Sequence, residues 1–272
     1  MASLDENPVW VANERDADVA AEFISNFRVI GYDSEFDGVQ VGAESCVGKA
    51  RVDVFSIATP VDASECINPI GFSPTSAFVF EGRLLNYGPI KSILEDSACT
   101  KCVHNLPVDA HAAANQGVGI RGGCNTLSMA RWVYPERANL PQGKYDLDSL
   151  CRWRLGFGKV DDFRDLFGYE RSVEYEVMVD KKECECGKIG CRKKTGVHGI
   201  KWPVQVPTTR AKMVFELSPL AQCRPNGSLS HKFDRYLRYA AADAELALML
   251  YQVMQIDGRA ERVYPWYLEN TN

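Results

Sequence analysis

The chain has 272 residues, enough to bury a full hydrophobic core, and its 46% hydrophobic and 25% charged residues are typical of a globular protein. Its 31 Lys and Arg against 36 Asp and Glu give a net charge of −5, which excludes a generally basic nucleic-acid coat protein; a polyanion would need a local patch or metal ions. No apolar window of about 18 residues occurs and the acidic start MASLDENPVW lacks a secretory pattern, so we expect an intracellular protein without signal peptide or membrane span.

Most of the chain alternates helical and strand patterns. In chain order, the spacing of apolar residues predicts a helix at 14–27, strands at 28–36, 51–59 and 76–80, a helix at 90–95, a strand at 100–103, and helices at 108–116, 125–134, 145–155 and 234–254. The turn-rich stretch 60–75 predicts a loop. This order predicts an α/β fold with a mixed sheet of about five strands flanked by helices.

The regular pattern stops between residues 158 and 230. This segment is irregular and carries three closely spaced cysteines and a run of charges. It is longer than ordinary connections between elements. We therefore interpret residues 1–272 as one domain with an insertion at 158–230.

Four acids and a tyrosine stand where the surrounding pattern does not explain them. Asp33 and Glu35 lie two residues apart at the end of a predicted strand, hence on one face. Asp109 opens an alanine-rich helix, and Asp243 lies in an apolar stretch where a lone carboxylate is costly to bury. Tyr239 precedes Asp243 by one helical turn. Each acid alone is more often a helix cap or a solvent-facing residue, but four carboxylates together suit a pair of hard divalent cations.

The order and spacing of these residues resemble the motifs of the DEDD superfamily of 3′–5′ exonucleases, specifically its tyrosine subgroup. The first motif is Asp33-Ser34-Glu35, the second is 104–109 (HNLPVD) and the third is 239–243 (YAAAD). Segments 125–131 (NTLSMAR) and 145–150 (YDLDSL) are similar to the ribonuclease D branch, although Asn125 stands where the family often has Asp. The resemblance covers residues 29–254 without the insertion.

The resemblance implies a ribonuclease H-like fold and the hydrolysis of terminal phosphodiester bonds in single-stranded nucleic acid. The four carboxylates would bind two Mg²⁺ or Mn²⁺ ions, Tyr239 would orient the attacking water, and Asn105 would help to position the strand end. RNA is the favoured substrate because of the ribonuclease D-like segments. The alternatives are a DNA 3′–5′ exonuclease of the proofreading or repair type and a binding module of the same fold without turnover.

A cysteine cluster in the insertion suggests a structural zinc site. Thiolate and imidazole are the ligands of tetrahedral Zn²⁺, and three cysteines lie close together at Cys184, Cys186 and Cys191, with His198 or Cys223 as the fourth ligand. The Cys-x-Cys spacing is tighter than the usual one. The alternatives are a reduced loop without metal and, in an oxidising compartment, a disulfide.

The same stretch is locally basic. Residues 181–201 contain seven Lys and Arg and two Glu, a net charge of +5. This asymmetry suggests a contact to the phosphate backbone, for which we single out Lys193 and Lys194. The alternative is an ordinary solvated surface.

Overall fold

The structure is a computed structural model that describes residues 8–36, 51–60, 75–139, 145–159, 166–167, 171–184, 200–214, 218–224 and 230–257. The strands are β1 (Val9–Val11), β2 (Val29–Phe36), β3 (Val52–Pro60), β4 (Thr75–Glu81), β5 (Thr100–Val103), β6 (Gly123–Asn125), β7 (Arg171–Cys184) and β8 (Ile200–Val214). The α-helices are α1 (Glu14–Ile24), α2 (Gly88–Glu95), α3 (Leu106–Asn115), α4 (Thr126–Val133), α5 (Leu147–Arg154), α6 (Pro219–Cys223) and α7 (His231–Ile256).

Six strands form one mixed sheet in the order β1-β4-β3-β2-β5-β6. The central pairs β2–β3 and β3–β4 are antiparallel, and β1–β4, β2–β5 and β5–β6 are parallel. This confirms the predicted α/β fold. The prediction omitted β1 and β6 because three-residue strands are too short to show an alternating pattern. Of the predicted loop, residues 61–74 lie outside the described residues.

Polar side chains set the starts of several helices. Asn13, Asn125, Asp146 and Ser218 each accept a hydrogen bond from the backbone N–H three residues later, at the first turns of α1, α4, α5 and α6. Such caps satisfy donors that a helix leaves unpaired at its N-terminus. These local signals explain why most predicted helices lie within a few residues of their observed positions.

Helices cover both faces of the six-stranded sheet. On one face, Ile30 and Tyr32 of β2 pack with Ile24 of α1 in one apolar cluster. On the other face, Cys102 of β5 packs with Leu248 of α7 in a second cluster, to which α4 and α5 also contribute. The two-faced core follows from the alternation of side chains along each strand. In the part of the chain described, no helix is both long and apolar enough to cross a membrane.

Helix α7 approaches the sheet closely because small residues face it. A Cβ atom on Gly31 would lie 2.0 Å from the carbonyl oxygen of Ala244, so only glycine fits there. Ala240 and Ala244 are fully buried, and the Ser56 hydroxyl donates to the Ala240 carbonyl oxygen at 2.6 Å. This contact brings the acidic residue at position 243 against the end of β2.

The insertion contains regular structure that the sequence prediction missed. Strands β7 and β8 pair antiparallel from Arg171↔Val214 to Cys184↔Ile200 and form a second, two-stranded sheet. Pro203 and Pro207 interrupt the apolar alternation of β8, on which strand prediction depends. In β7, Val173, Tyr175, Val177 and Val179 do stand at alternate positions, a strand signal that the sequence analysis missed. In a two-stranded ribbon each strand has an unpaired edge, where proline is tolerated.

Candidate active site

Three carboxylates from two elements converge at the end of β2. Asp33 and Glu35 lie on one face of β2, and Asp243 reaches them from α7, which Gly31 allows to pack closely. One carboxylate oxygen from each lies within 4.8 Å of the other two. This is the arrangement that the spacing of Asp33 and Glu35 and the apolar context of Asp243 predicted.

The fourth predicted acid, Asp109, is held beside this group but is not one of the three. It lies in the first turn of α3 and is 4% exposed. Its Oδ1 accepts hydrogen bonds from the backbone N–H of Ser34 at 3.0 Å and from the Ser34 hydroxyl at 2.6 Å. Ser34, the middle residue of the first motif, therefore orients Asp109 from between Asp33 and Glu35.

The electrostatics of the site favour the binding of a cation. Burial, followed by repulsion from Asp243, raises the pKa of Asp33 well above its usual range and that of Glu35 to about 8. Burial raises the pKa of Asp109 to about 7, although the hydrogen bonds from Ser34 act in the opposite direction. Burial also raises the pKa of Asp243, against the attraction of a nearby lysine.

One oxygen of the site is buried and unsatisfied. Asp243 is 8% exposed, and its Oδ1 has no hydrogen-bond partner among the described residues. A buried carboxylate oxygen without a partner costs free energy. Oxygen ligands at this spacing and a buried lone pair fit a hard divalent cation such as Mg²⁺ or Mn²⁺.

The sequence analysis missed Lys159, which forms an ion pair inside the site. Its Nζ lies 2.6 Å from Oδ2 of Asp243, and the two side chains are 25% and 11% exposed. Burial lowers the pKa of Lys159, but attraction to Asp243, Asp33 and Glu35 outweighs this and leaves the pKa raised. Lys159 is thus the counter-charge of the acidic cluster when no metal is bound.

The backbone of Lys159 is held in place by the helix that precedes it. Its N–H donates to Oδ1 of Asp148 at 2.8 Å, and its carbonyl oxygen accepts from Arg152 at 3.0 Å. Arg152 also pairs with Asp148 at 2.8 Å. No local pattern predicts this position, since Lys159 and Asp243 are 84 residues apart and meet only in the folded chain.

Tyr239 lies on the same face of α7 as Asp243, as its spacing predicted. The side chain is half-buried, and Nζ of Lys159 is 5.1 Å from the centroid of its ring. Lys159 therefore contacts both Tyr239 and Asp243 of the third motif. The tyrosine ring is at the rim of the acidic cluster, where it can meet a molecule that enters from solvent.

Asn105 is exposed at the start of α3 in an unusual backbone conformation. Its φ of 72° is in the left-handed region, and it is the one non-glycine residue with positive φ among those the structure describes. Its N–H donates to Oδ1 of Asn125 at 3.2 Å. The Asn125 side chain also caps α4, so the residue that departs from the family pattern links the second motif to the next helix.

The neighbouring His104 is a structural residue. One ring nitrogen lies 3.0 Å from the Thr126 hydroxyl and the other 3.0 Å from the carbonyl oxygen of Tyr145. Burial lowers its pKa to about 4, so the ring is neutral near pH 7. It connects the second motif to α4 and to the start of α5.

Most of the predicted zinc ligands lie outside the described residues. Cys184 ends β7, whereas Cys186, Cys191 and His198, together with Lys193 and Lys194, lie outside the described residues. Cys223 is fully buried in an apolar cluster, and burial raises the pKa of its thiol to about 11. Among the described residues, only Asp33, Glu35 and Asp243 are close enough together to share a metal ion. The zinc site therefore stays a prediction.

Comparison with known proteins shows a similarity of fold that sequence comparison does not detect. No family model and no curated protein matches the chain. Three solved structures are similar: Escherichia coli RNase D (15% identity, TM-score 0.57, 97% of this chain and 48% of that chain), Trypanosoma brucei RNase D (13%, 0.53, 96% and 71%) and the Aedes aegypti Nibbler EXO domain (14%, 0.51, 96% and 92%). The chain spans about half the length of the E. coli protein.

The matched proteins define the class of fold. E. coli RNase D is an exoribonuclease involved in structured RNA processing, and the matched part of Nibbler is its EXO domain. The chain thus shares the fold of these proteins, which confirms the ribonuclease H-like α/β fold that the resemblance of its motifs implied. At 13–15% identity the likeness establishes the fold alone, so the activity depends on the chemistry of the site.

Proposed function

We propose that this chain is a metal-dependent 3′–5′ exonuclease of the tyrosine subgroup, which hydrolyses terminal phosphodiester bonds of single-stranded nucleic acid. The observation that carries the proposal is the convergence of Asp33, Glu35 and Asp243 within 4.8 Å around a buried, unsatisfied oxygen of Asp243. A structural cluster of buried acids would need hydrogen-bond donors on every oxygen. In this cluster one buried oxygen of Asp243 has no donor among the described residues, and the carboxylates repel one another when ionised, so a bound cation would stabilise them.

The residues take distinct roles in the proposed mechanism. Asp33, Glu35 and Asp243 would hold the divalent ion, with Asp109 beside them for a second; when bound, the ions supply Lewis-acid activation of water and stabilisation of the leaving 3′-oxygen. Tyr239 orients the attacking water through its hydroxyl group, which is the role that the resemblance to the tyrosine subgroup implies.

Substrate choice is proposed from the resemblance. Segments 125–131 and 145–150 favour the ribonuclease D branch and hence RNA. Asn105, within the second motif, is exposed, so that it can contact the terminal nucleotide. DNA as substrate and a non-catalytic binding role are the alternatives. Both keep the same fold, so only an assay on matched strands separates them.

The test uses 5′-labelled single strands of RNA and DNA of matched sequence, incubated with Mg²⁺ or Mn²⁺ and resolved on a gel. We expect a ladder that shortens from the 3′ end, faster with RNA, and its loss in Asp243→Asn. The matched control is Asp234→Asn, which neutralises an exposed acid on the same helix and should leave the rate unchanged. Intact strands under both metals, with binding retained, would favour the non-catalytic module.

We also propose that the insertion binds one structural Zn²⁺ through Cys184, Cys186 and Cys191. An insertion whose sequence is this polar has few apolar residues for a core of its own, and a metal would stabilise it. Elemental analysis of protein purified without chelator should find about one zinc per chain, lost in the Cys184→Ser/Cys186→Ser variant. Comparison of His198→Ala with Cys223→Ser would identify the fourth ligand. Zinc-free protein would leave the cluster an ordinary loop.

A further inference from the structure

The pairing of β7 with β8 sorts charge onto the two faces of the ribbon. Residues directly opposite in an antiparallel pair share a face, and alternate residues along a strand share it too. By this register, one face carries Arg171, Lys181, Arg210 and Lys212, together with Tyr175. The remaining positions of this face are six valines and a threonine, and none is acidic. We call it the basic face.

The opposite face has the reverse charge. It carries Glu174, Glu176 and Asp180 and a single basic residue, Lys182. Every acid in the paired segments 171–182 and 203–214 is on this face, while four of the five basic residues are on the other. A solvated ribbon without a partner has no reason to separate its charges in this way, because mixed charges serve solubility equally well.

The base of the β7–β8 ribbon, where β7 begins and β8 ends, is anchored near the acidic cluster. Before β7, Phe167 packs edge-on against Tyr236 at 5.1 Å between ring centroids, one turn ahead of the third motif on α7. After β8, the N–H of Leu220 donates to Asp53 at 2.8 Å, on the strand that pairs with the end of β2. Three residues lie between Phe167 and the start of β7, and three lie between the end of β8 and Ser218. The base of the β7–β8 ribbon is therefore within about 15 Å of Phe167 and of Ser218.

The length and charge of the basic face suit an extended polyanion. The ten residue-to-residue steps from Arg171 to Lys181 span about 34 Å at the rise of an antiparallel strand. Tyr175 and Arg210 are paired across the ribbon, and the next pair on this face, Val173 and Lys212, follows directly. A face whose register positions hold an aromatic residue together with basic residues has the composition that binds single strands without sequence preference.

We infer that the basic face of the β7–β8 ribbon binds the phosphate backbone of a single-stranded nucleic acid whose 3′ end lies at the acidic cluster. This inference rests on the proposed function for the position of the 3′ end. The occupant is a nucleic acid because the face holds four positive charges and no negative one in a chain of net charge −5. Binding there would hold the strand through its backbone and be independent of sequence.

The experiment measures binding apart from cleavage. Fluorescence anisotropy of a 5′-labelled single-stranded RNA is followed with protein carrying Asp243→Asn, at several salt concentrations. The test variant adds Arg210→Gln and Lys212→Gln on the basic face. The charge-matched control adds Lys182→Gln on the opposite face and Lys91→Gln on α2, so that both proteins lose two positive charges.

We expect the basic-face variant to bind at least tenfold more weakly than the control, with a slope of log K against log salt reduced by about 1.4, which is two phosphate contacts on a single strand. Tyr175→Ala should weaken binding by about fivefold or more, through lost base stacking, with an unchanged salt slope. Circular dichroism checks that each variant is folded. Equal affinities and slopes for the basic-face variant and the control would overturn the inference.

A partner other than nucleic acid on the basic face would give a different outcome in these measurements. If a second copy of the chain covers it, the basic-face variant changes the mass in analytical ultracentrifugation and leaves the salt slope unchanged, which overturns the inference. Failure of the proposed function is seen separately, as intact strands with the wild-type protein. Binding that depends on the basic face without any cleavage would keep this surface and reject the nuclease.

Discussion

Removal of Lys159 tests whether the acidic cluster needs a counter-charge. Lys159→Met deletes the ammonium group 2.6 Å from Asp243 and keeps most of the apolar stem. Loss of one partner of a buried ion pair costs about 3–5 kcal/mol, and since a quarter of the Lys159 side chain is exposed we expect the lower value, about 3 kcal/mol. For a chain of this size that lowers Tm by about 6–12 °C.

The assay is thermal unfolding of protein that has been stripped of metal and returned to chelator-free buffer. Addition of Mn²⁺ should raise the Tm of Lys159→Met more than that of the wild type, because the ion replaces the lost charge. Tenfold tighter binding adds about 1.4 kcal/mol at saturating ion. Lys159→Arg, which keeps the charge, should behave nearly as the wild type.

The control for this prediction is Lys91→Met. Its ion pair with Glu95 spans 3.8 Å between side chains that are 39% and 31% exposed, and its Nζ also donates to the carbonyl oxygen of Gly117 at 2.8 Å. We expect its loss to cost about 1–2 kcal/mol, less than the loss of Lys159. Equal melting of Lys159→Met and the wild type without metal, together with equal gains from Mn²⁺, would refute the role of Lys159 as counter-charge.

Three further predictions concern the same site. The pKa values of Glu35 (about 8) and Asp109 (about 7) are raised, so the folded state binds more protons than the unfolded state between about pH 5 and 8. We therefore expect the metal-free protein to become less stable to urea as the pH rises through this range. Glu35→Gln should show a smaller pH dependence of stability, and an unchanged dependence would contradict the prediction. Ser34→Ala removes a hydrogen-bond donor to Asp109 and should raise the pKa of Asp109 further, so that more of this carboxyl group is protonated at pH 7. Mn²⁺ binding should then release more protons than in the wild type, as measured by calorimetry in buffers of different ionisation enthalpy. Gly31→Ala places a methyl group 2.0 Å from the α7 backbone and should prevent stable folding, whereas Gly88→Ala, with nothing within 4 Å, should leave Tm almost unchanged; similar melting of the two would contradict the close packing of α7.

The amino-acid sequence by itself was sufficient for most of the helices, for the strands β2 to β5 and for the first list of acids. Apolar periodicity is a local property, so α1, α7 and the strands β2 to β5 could be predicted within a few residues of their observed bounds. The spacing of Asp33 and Glu35 fixes their common face, whatever the fold around them. The position of Tyr239 relative to Asp243 follows in the same way from the helical repeat.

Only the tertiary structure decided what surrounds those acids. Lys159 reaches Asp243 across 84 residues of chain, and Ser34 holds Asp109 across 75, distances over which no sequence period carries information. The close packing of α7 depends on Gly31 meeting Ala244, a contact between two elements that are each ordinary alone. The β7–β8 ribbon shows the same limit, because its two charge faces become visible only when the register pairs one strand with the other. Local sequence determines which way a side chain can face, and long-range packing determines what it meets there.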